Sequence, residues 1–384
     1  MSRILAVTWD GGGNVPPLLG ITTALRERDH QVRALGHPQQ RSAVESSGAE
    51  FVAYQHARPW SSDQPASNAR WARSLLAMFT ETTPALDVAA QLDGPSAPDL
   101  VLVDAMRLVA LRAAVRSSIP TVALMHSFHH YFTPTWARGP VGMLASLRGL
   151  RPTPLWNACD RVLVATDPDL DPATDKPLPP NVRHIGAVQP RPRPPDRHGT
   201  PLVLVSLSTI FYAKQRAVLQ NILDGLAQLD VRVIAATGPC VDPTELRTGP
   251  NVELHRHLDH TAAMATASLL VGHGGHATTL RALAHDLPLL VLPLDPHLDH
   301  TMIGEAVQAA GAGRLLPTGA PPATIRDAAR DLLAEGPHQR AAANLGARIR
   351  ARDGAATAVN EIETLLQPHS NAVTPTSSTD SNRP

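Results

Sequence analysis

The sequence has few of the residues that mark disulfide-bonded, zinc-binding or nucleic-acid-binding proteins. Its 384 residues include only two cysteines, which cannot form a disulfide framework or a four-ligand zinc site. The 34 Lys and Arg residues are balanced by 34 Asp and Glu residues, so we expect no binding to nucleic acid. No run of about 18 apolar residues occurs and no secretory signal precedes the first strand, so we expect a cytoplasmic protein without membrane insertion.

The length and the apolar content indicate two folded domains. A chain of 384 residues exceeds one ordinary core and predicts two domains of about 150–200 residues each. The apolar fraction of 43% is enough for a core in each domain.

Both halves of the chain alternate strand-like apolar runs with helical segments, which predicts an α/β fold. An apolar run at 4–7 is followed by three glycines, a helical segment at 15–28 and a second strand-like run at 31–35. The pattern recurs between residues 100 and 165 and restarts at 202 after a proline-rich stretch. We expect two Rossmann-like, doubly wound domains whose strand carboxyl ends face one interdomain cleft.

The chain is expected to divide into five parts. The proline-rich stretch cannot continue a strand or a helix and predicts an extended linker, whereas the Ser/Thr/Pro-rich end predicts a disordered tail. The expected parts are the N-terminal domain (1–188), the linker (189–200), the C-terminal domain (201–352), a final helix (353–367) and the tail (368–384).

The most informative segment joins a strand to a helix through His273, Gly274 and Gly275. Glycines let a ligand approach the backbone, and the helix N-terminus offers free N–H groups with a partial positive charge. His273 can donate a hydrogen bond to an anionic oxygen, and Thr278 adds a hydroxyl in the first turn, whereas His276 is expected to lie outward. These residues predict a diphosphate-binding cradle. The alternative is a tight turn whose glycines serve packing alone.

The same segment carries a resemblance to a known family. Together with 281–293 it resembles family 1 glycosyltransferases, especially the actinobacterial enzymes of the calicheamicin and erythromycin type that decorate antibiotics. The strand end at Ser208 and Thr209 resembles the Ser-Leu-Gly-Thr segment of the family, with Ser208 replacing the glycine, and these two residues are expected to contact the diphosphate. The resemblance implies the GT-B fold, inverting sugar transfer without a metal or another cofactor, and a final helix that crosses back onto the N-terminal domain.

The resemblance also assigns the rest of the donor site. It places the nucleobase at His257 and the backbone of Leu258, although a plain exposed loop is the alternative for His257. It places the sugar hydroxyls at Asp299 and His300, where the family has an aspartate and a glutamine.

The N-terminal loop departs from the family at its catalytic position. The family has a histidine there that deprotonates the acceptor, whereas this sequence has Asn14, which cannot accept a proton near pH 7. Gly12 and Gly13 of the same loop remain candidates for a diphosphate contact. Asn14 is either a helix cap or a residue that orients the acceptor.

Three other residues are candidates for the general base. Asp104 ends a strand where the family has the aspartate that orients its histidine, and Asp10 ends the first strand. His126 follows a further strand, and the ordinary pKa of a histidine, about 6.5, suits proton transfer. The alternative is a metal site on His126, His129 and His130. No spaced carboxylates or cysteines accompany these histidines, which argues against such a site.

Aromatic residues make up only 3% of the chain, yet several cluster in loops of the N-terminal domain. This clustering predicts an apolar acceptor pocket, and a local core beneath a loop is the alternative. The candidates are Phe79, His129, Tyr131, Phe132 and Trp136.

We therefore expect an enzyme of secondary metabolism that transfers a (deoxy)sugar from dTDP or UDP. The expected partners are the nucleoside-diphosphate sugar and a small, largely apolar acceptor such as a polyketide or an aromatic aglycone, and a homodimer is one expected assembly. The alternative is a catalytically inactive protein of the same fold that assists another glycosyltransferase. A sugar-nucleotide epimerase is a third option, for which the sequence shows no matching acid–base set.

Overall fold

The computed structural model describes residues 1–63, 68–190, 192–193, 195–295 and 298–367, so the expected tail lies outside the described residues. Within these ranges the strands form two separate sheets, and every neighbouring pair of strands is parallel. Most strands are continuous apolar runs because helices cover both faces of each sheet. No helix in the described ranges is long and apolar enough to cross a membrane.

The N-terminal sheet has seven strands in the order β3-β2-β1-β4-β5-β6-β7. The strands are β1 (Arg3–Val7), β2 (Gln31–Gly36), β3 (Glu50–Ala53), β4 (Leu100–Asp104), β5 (Thr121–Met125), β6 (Arg161–Val164) and β7 (Val182–His184). The helices are α1 (Val15–Glu27), α2 (Arg41–Ser46), α3 (Asn68–Thr80), α4 (Pro84–Leu92), α5 (Leu108–Val115), α6 (Pro140–Leu147) and α7 (Pro152–Asn157), with a π-helical turn at Tyr131–Trp136. The strand order reverses between β1 and β4, which is where open α/β sheets bind ligands.

The C-terminal sheet has six strands in the order β10-β9-β8-β11-β12-β13, with its reversal between β8 and β11. The strands are β8 (Leu202–Ser206), β9 (Arg232–Ala236), β10 (Val252–His255), β11 (Leu269–Gly272), β12 (Leu289–Val291) and β13 (Gly313–Leu315). The helices are α8 (Gln215–Leu226), α9 (His260–Thr266), α10 (His276–Ala284), α11 (His300–Ala309), α12 (Pro322–Leu333) and α13 (Pro337–Ala351), followed by α14 (Gly354–Leu366).

The predicted fold class, two doubly wound α/β domains, is confirmed. The sequence analysis did not identify β3 and β10, which form an outer edge of each sheet. Both strands include charged, exposed positions, Glu50 and Glu253, so neither shows the continuous apolar run of a central strand.

The last helix packs against the first helix of the chain. Ile362 and Val359 of α14 are fully buried and share a core with Ile21 of α1. Beside this core, Glu363 accepts a hydrogen bond from Arg28 at 2.8 Å, and a Glu363 oxygen lies 3.1 Å from His30 Nε2. The end of the described chain is therefore part of the N-terminal fold.

Truncating Ile362 tests the contribution of this packing. Ile362→Ala leaves a cavity between α14 and α1, because the side chain is 0% exposed. We expect the free energy of unfolding to fall by about 2–5 kcal/mol, measured by urea denaturation. Thr364→Ala, at an exposed position of the same helix, should change it by less than about 0.5 kcal/mol. Equal losses in the two variants would contradict the packing described here.

Candidate functional site

The segment predicted to bind a diphosphate joins the end of β11 to the start of α10. Diphosphate binding there stays a prediction. β11 ends at Gly272 and α10 begins at His276, so His273 lies at the carboxyl edge of the sheet. The first N–H groups of α10, including that of the half-buried Thr278, have no partner within the helix. These groups and the His273 side chain, which is 8% exposed, lie where such folds bind anions.

The two glycines of the cradle lie in close contacts. Gly274 has a left-handed φ of +86°, and a Cβ there would lie 2.6 Å from the carbonyl oxygen of His300. A Cβ on Gly275 would lie 2.6 Å from Nε2 of His273. Packing and the left-handed backbone therefore demand a glycine at position 274, whereas a side chain at position 275 would require the His273 ring to move.

His273 and His300 are neighbouring buried imidazoles. Their ring centroids are 4.6 Å apart with the planes at 89°. Burial lowers the pKa of His273 to about 4, and burial together with His273 holds the pKa of His300 well below its usual range. Both rings are therefore uncharged near pH 7 in the free protein.

Asp299, one of the predicted sugar-binding residues, is bonded across the domain boundary. The Ser127 hydroxyl, next to the end of β5, donates to Asp299 Oδ2 at 2.6 Å. Burial raises the pKa of Asp299, and this hydrogen bond opposes the rise. Ser127 was not predicted as a site residue; its only sequence signal is its place beside His126.

Loops of the two domains also meet at Gly12 and Thr209. A Cβ added to Gly12, whose φ is +69°, would lie 3.2 Å from Thr209 Oγ1. Ser208 is buried, and its hydroxyl accepts the Ile210 N–H at 3.0 Å. Gly13 has no atom within 4 Å of an added Cβ. The predicted glycine loop thus faces the predicted strand end of the other domain.

The predicted nucleobase residues lie between β10 and α9. His257 is exposed and Leu258 is half-buried, packing against the apolar core. Asp259 caps α9 by accepting the N–H groups of Thr261 and Ala262. The nucleobase contact of His257 and Leu258 stays a prediction.

Asn14 connects the first loop to the end of β4. It is 1% exposed, and its Nδ2 donates to Asp104 Oδ2 and to the Trp9 carbonyl, each at 2.9 Å. Its Oδ1 accepts the Gly11 N–H at 3.1 Å. The helix-cap alternative is wrong, because the Asn14 side chain makes no capping hydrogen bond to α1. It donates a hydrogen bond to Asp104 instead.

Residues that follow three different strands contact the carboxylate of Asp104. Its Oδ1 accepts the Met106 N–H at 2.9 Å, while its Oδ2, bonded to Asn14, also lies 3.3 Å from His126 Nδ1. His126 follows β5 and packs edge-on against Phe132 with centroids 5.5 Å apart. Three of the four predicted catalytic residues therefore converge at Asp104.

Asp10, the fourth candidate, is bonded to a different segment. Its backbone oxygen accepts from Trp60 Nε1 at 2.6 Å, and its Oδ2 accepts from the Ser62 hydroxyl at 3.2 Å. Burial raises the pKa of Asp10, and the Ser62 bond opposes the rise.

A packed aromatic cluster contains four of the five predicted acceptor residues, Phe79, Tyr131, Phe132 and Trp136. Each of the five residues is at most 7% exposed, and Phe132 is fully buried. Phe79 lies 5.8 Å from Trp136, and Phe132 lies 5.7 Å from Tyr131, as ring centroids. The cluster matches the alternative interpretation, a local core beneath a loop. Phe132 of this cluster packs against the His126 ring. Contact between these residues and an acceptor stays a prediction.

Asp171 fixes the loop that carries the histidines after β5, and the sequence did not indicate it. It accepts the N–H groups of His129 at 2.6 Å and His130 at 3.2 Å, and lies 2.9 Å from His184 Nε2. Burial alone would raise the pKa of Asp171, but the hydrogen bonds from His184 and the backbone lower it overall. No group of three or more His, Cys, Asp or Glu side chains in the described ranges is arranged to hold a metal ion.

His276 was expected to lie outward from the cradle, and this prediction is wrong. Its side chain is buried, and Nε2 lies 2.9 Å from Thr166 Oγ1 in the loop after β6. Its ring packs edge-on against Phe128, and burial lowers its pKa to about 3. The contact crosses between the domains, so helical position alone could not reveal it.

Residues 220–365 match the model of the family described as erythromycin biosynthesis protein CIII-like, C-terminal domain. A PGL/p-HBAD biosynthesis rhamnosyltransferase of Mycobacterium bovis is 37% identical over 180 residues. That match spans 42% of this chain and 37% of the relative, so it covers well under half of each protein.

Two further comparisons extend over nearly the whole chain. The 4′-demethylrebeccamycin synthase of Lentzea aerocolonigenes is 27% identical over 95% of this chain and 100% of its own length. The structure of the calicheamicin glycosyltransferase CalG4 is similar with a TM-score of 0.76 and 25% identity, covering 95% of this chain and 98% of CalG4. The resemblance to antibiotic glycosyltransferases and the GT-B architecture are confirmed.

Replacing Gly274 tests the close packing of the cradle. Gly274→Ala combines a left-handed backbone with a clash against the His300 carbonyl. We expect a loss of stability of at least about 1–3 kcal/mol, measured as a lower melting temperature. Gly319→Ala, where an added Cβ meets no atom within 4 Å, is the control and should melt close to wild type. An unchanged melt for Gly274→Ala would show that the turn adapts at no cost.

Proposed function

We propose that this chain is an inverting glycosyltransferase that moves a (deoxy)sugar from dTDP or UDP to a small, largely apolar natural-product acceptor. The observation that carries the proposal is the His273 side chain, which lies between the end of β11 and the free N–H groups of α10. The relatives compared above support it, since the Mycobacterium bovis protein is named a rhamnosyltransferase and CalG4 is named a glycosyltransferase. We propose that no metal or other cofactor takes part.

The donor half stabilises the leaving diphosphate. His273 and the first N–H groups of α10 donate to its oxygens, which gain charge as the bond to the anomeric carbon breaks. Gly12 and Thr209 close the site from opposite domains, and Asp299 accepts hydrogen bonds from the sugar hydroxyls. Each well-placed donor contributes about 3–4 kcal/mol to the transition state.

The acceptor half supplies the base. His126 Nε2 takes the proton of the acceptor hydroxyl as its oxygen forms the new bond to the anomeric carbon from the face opposite the diphosphate. The imidazolium that results is stabilised by Asp104, whose Oδ2 lies 3.3 Å from His126 Nδ1. Asn14 holds Asp104 by its hydrogen bond and takes no proton.

The non-catalytic alternative makes a different prediction for donor binding and turnover. A chaperone of another glycosyltransferase has no need of a buried histidine and free helix N–H groups at one edge of a sheet. Protection by a nucleotide sugar in a thermal shift assay without turnover of any acceptor would favour that alternative. A cytoplasmic location and a homodimer stay predictions.

Removing the His273 imidazole tests the proposed function. His273→Ala should slow turnover by about 10²–10³-fold, because its bond strengthens as charge develops on the diphosphate. The measurement is kcat and KM with a verified donor, with a thermal melt to show that the variant is folded. Gly319→Ala, remote from the proposed contacts and exposed, is the control. A His273→Ala enzyme with normal kcat would falsify this mechanism.

The base assignment has its own set of variants. His126→Gln and Asp104→Asn should each slow turnover by about 10²–10⁴-fold, since one removes the base and the other the carboxylate that stabilises it. Asn14→Ala should cost less than about tenfold, because Asn14 only positions Asp104. Asn14→His restores the commoner residue of the family and should leave the enzyme active. If Asn14→Ala is inactive while the other two are fully active, the base lies elsewhere.

A further inference from the structure

His300 replaces the glutamine of the family, and the structure places it with the phosphate cradle. Its side chain is 4% exposed, and its ring contacts both His273 and Tyr212, with centroid distances of 4.6 and 5.6 Å. The Nδ1 atoms of His273 and His300 are both buried without a hydrogen-bond partner. Two imidazoles, each with an unpartnered Nδ1, thus lie in contact at the proposed diphosphate site.

The backbone of the cradle lies close to both histidines. A Cβ on Gly275 would clash with His273 Nε2, and a Cβ on Gly274 would clash with the His300 carbonyl. His300 is also the first residue of α11, so its position is set by the helix. The His300 ring, in turn, is the neighbour against which the His273 ring packs.

We propose that the His273–His300 pair takes up one proton when the diphosphate of the donor binds, with His300 as the positioning residue that holds the His273 ring. This inference rests on the proposed function, because it assigns the diphosphate to the cradle. The proton comes from solvent and goes to a ring nitrogen of His273. No covalent bond of the donor forms or breaks in this step.

The surroundings of His273 favour the uncharged ring in the free protein. Burial lowers the pKa of His273 to about 4, and no charge among the described residues is found to oppose it. Among the nearby titratable groups, Tyr212 packs against the His300 ring, Asp299 precedes His300 in the chain, and His276 is the first residue of α10. Burial raises the pKa of Tyr212 and of Asp299 and lowers that of His276, so these groups too tend towards their uncharged forms.

A bound diphosphate reverses this preference. One negative charge about 4 Å away, at an effective dielectric constant near 20, raises the pKa of a histidine by about 3. The pKa of His273 would then rise from about 4 towards neutral pH. At a pH above the pKa of the free site and below that of the occupied site, donor affinity falls by up to about tenfold for each unit that the pH rises.

Isothermal titration calorimetry of the full chain with dTDP-glucose and with UDP-glucose tests the proposal. Titrations at pH 6 in two buffers of different ionisation enthalpy count the protons taken up per donor bound. Both probes carry phosphodiester groups that do not titrate near this pH, so uptake reports on the protein. We expect close to one proton for wild type and none for His273→Gln, which keeps a hydrogen-bond donor without a titrating ring.

Two variants at position 300 test the positioning role. His300→Phe keeps a buried ring against His273, so we expect proton uptake to persist. His300→Ala removes the ring, and we expect donor affinity to fall by about tenfold. Thermal melts of all variants show which of them are folded.

Each outcome separates this inference from the proposed function. Donor binding without proton uptake in wild type would overturn the inference and leave the proposed function standing. Uptake that survives in His273→Gln and is lost in His300→Phe would assign the proton to His300 and overturn the positioning role. Failure of both nucleotide sugars to bind folded wild-type protein would overturn the proposed function and this inference together.

Discussion

The arrangement of residues in the proposed acceptor half of the cleft depends on the buried carboxylate of Asp104. It ends β4, and the neighbouring strands β1 and β5 bring Asn14 and His126 to the same oxygen. A buried carboxylate needs hydrogen-bond donors, and the Asn14 amide supplies one although it cannot exchange a proton. Asn14 therefore keeps a hydrogen-bond donor on Asp104, and the proposed base, His126, follows a different strand.

The donor half depends on close packing of backbone against imidazole. The Gly274 and Gly275 positions leave no room for a Cβ beside His300 and His273. Burial in turn keeps both rings uncharged in the free protein. In the proposed function, the diphosphate supplies the charge that this environment lacks.

Hydrogen bonds between the domains connect the two halves. Ser127, which follows His126, donates to Asp299, which precedes His300. A second contact joins His276 of α10 to Thr166 after β6. Residues adjacent in sequence to the proposed base and to the cradle thus meet across the cleft. A shift of one domain relative to the other would therefore change contacts next to both sites.

The sequence by itself determined the α/β class, the two sheets and the strand–glycine–helix turn after His273, because these follow from local patterns of apolar runs, glycines and helix starts. It did not reveal β3 or β10, whose exposed charged positions interrupt the apolar pattern at the sheet edges. Only the tertiary structure decided that Asn14 bonds to Asp104, that His300 packs on His273 and that His276 is buried. Each of these contacts joins residues far apart in the chain, and such pairings depend on how strands and domains assemble rather than on local spacing.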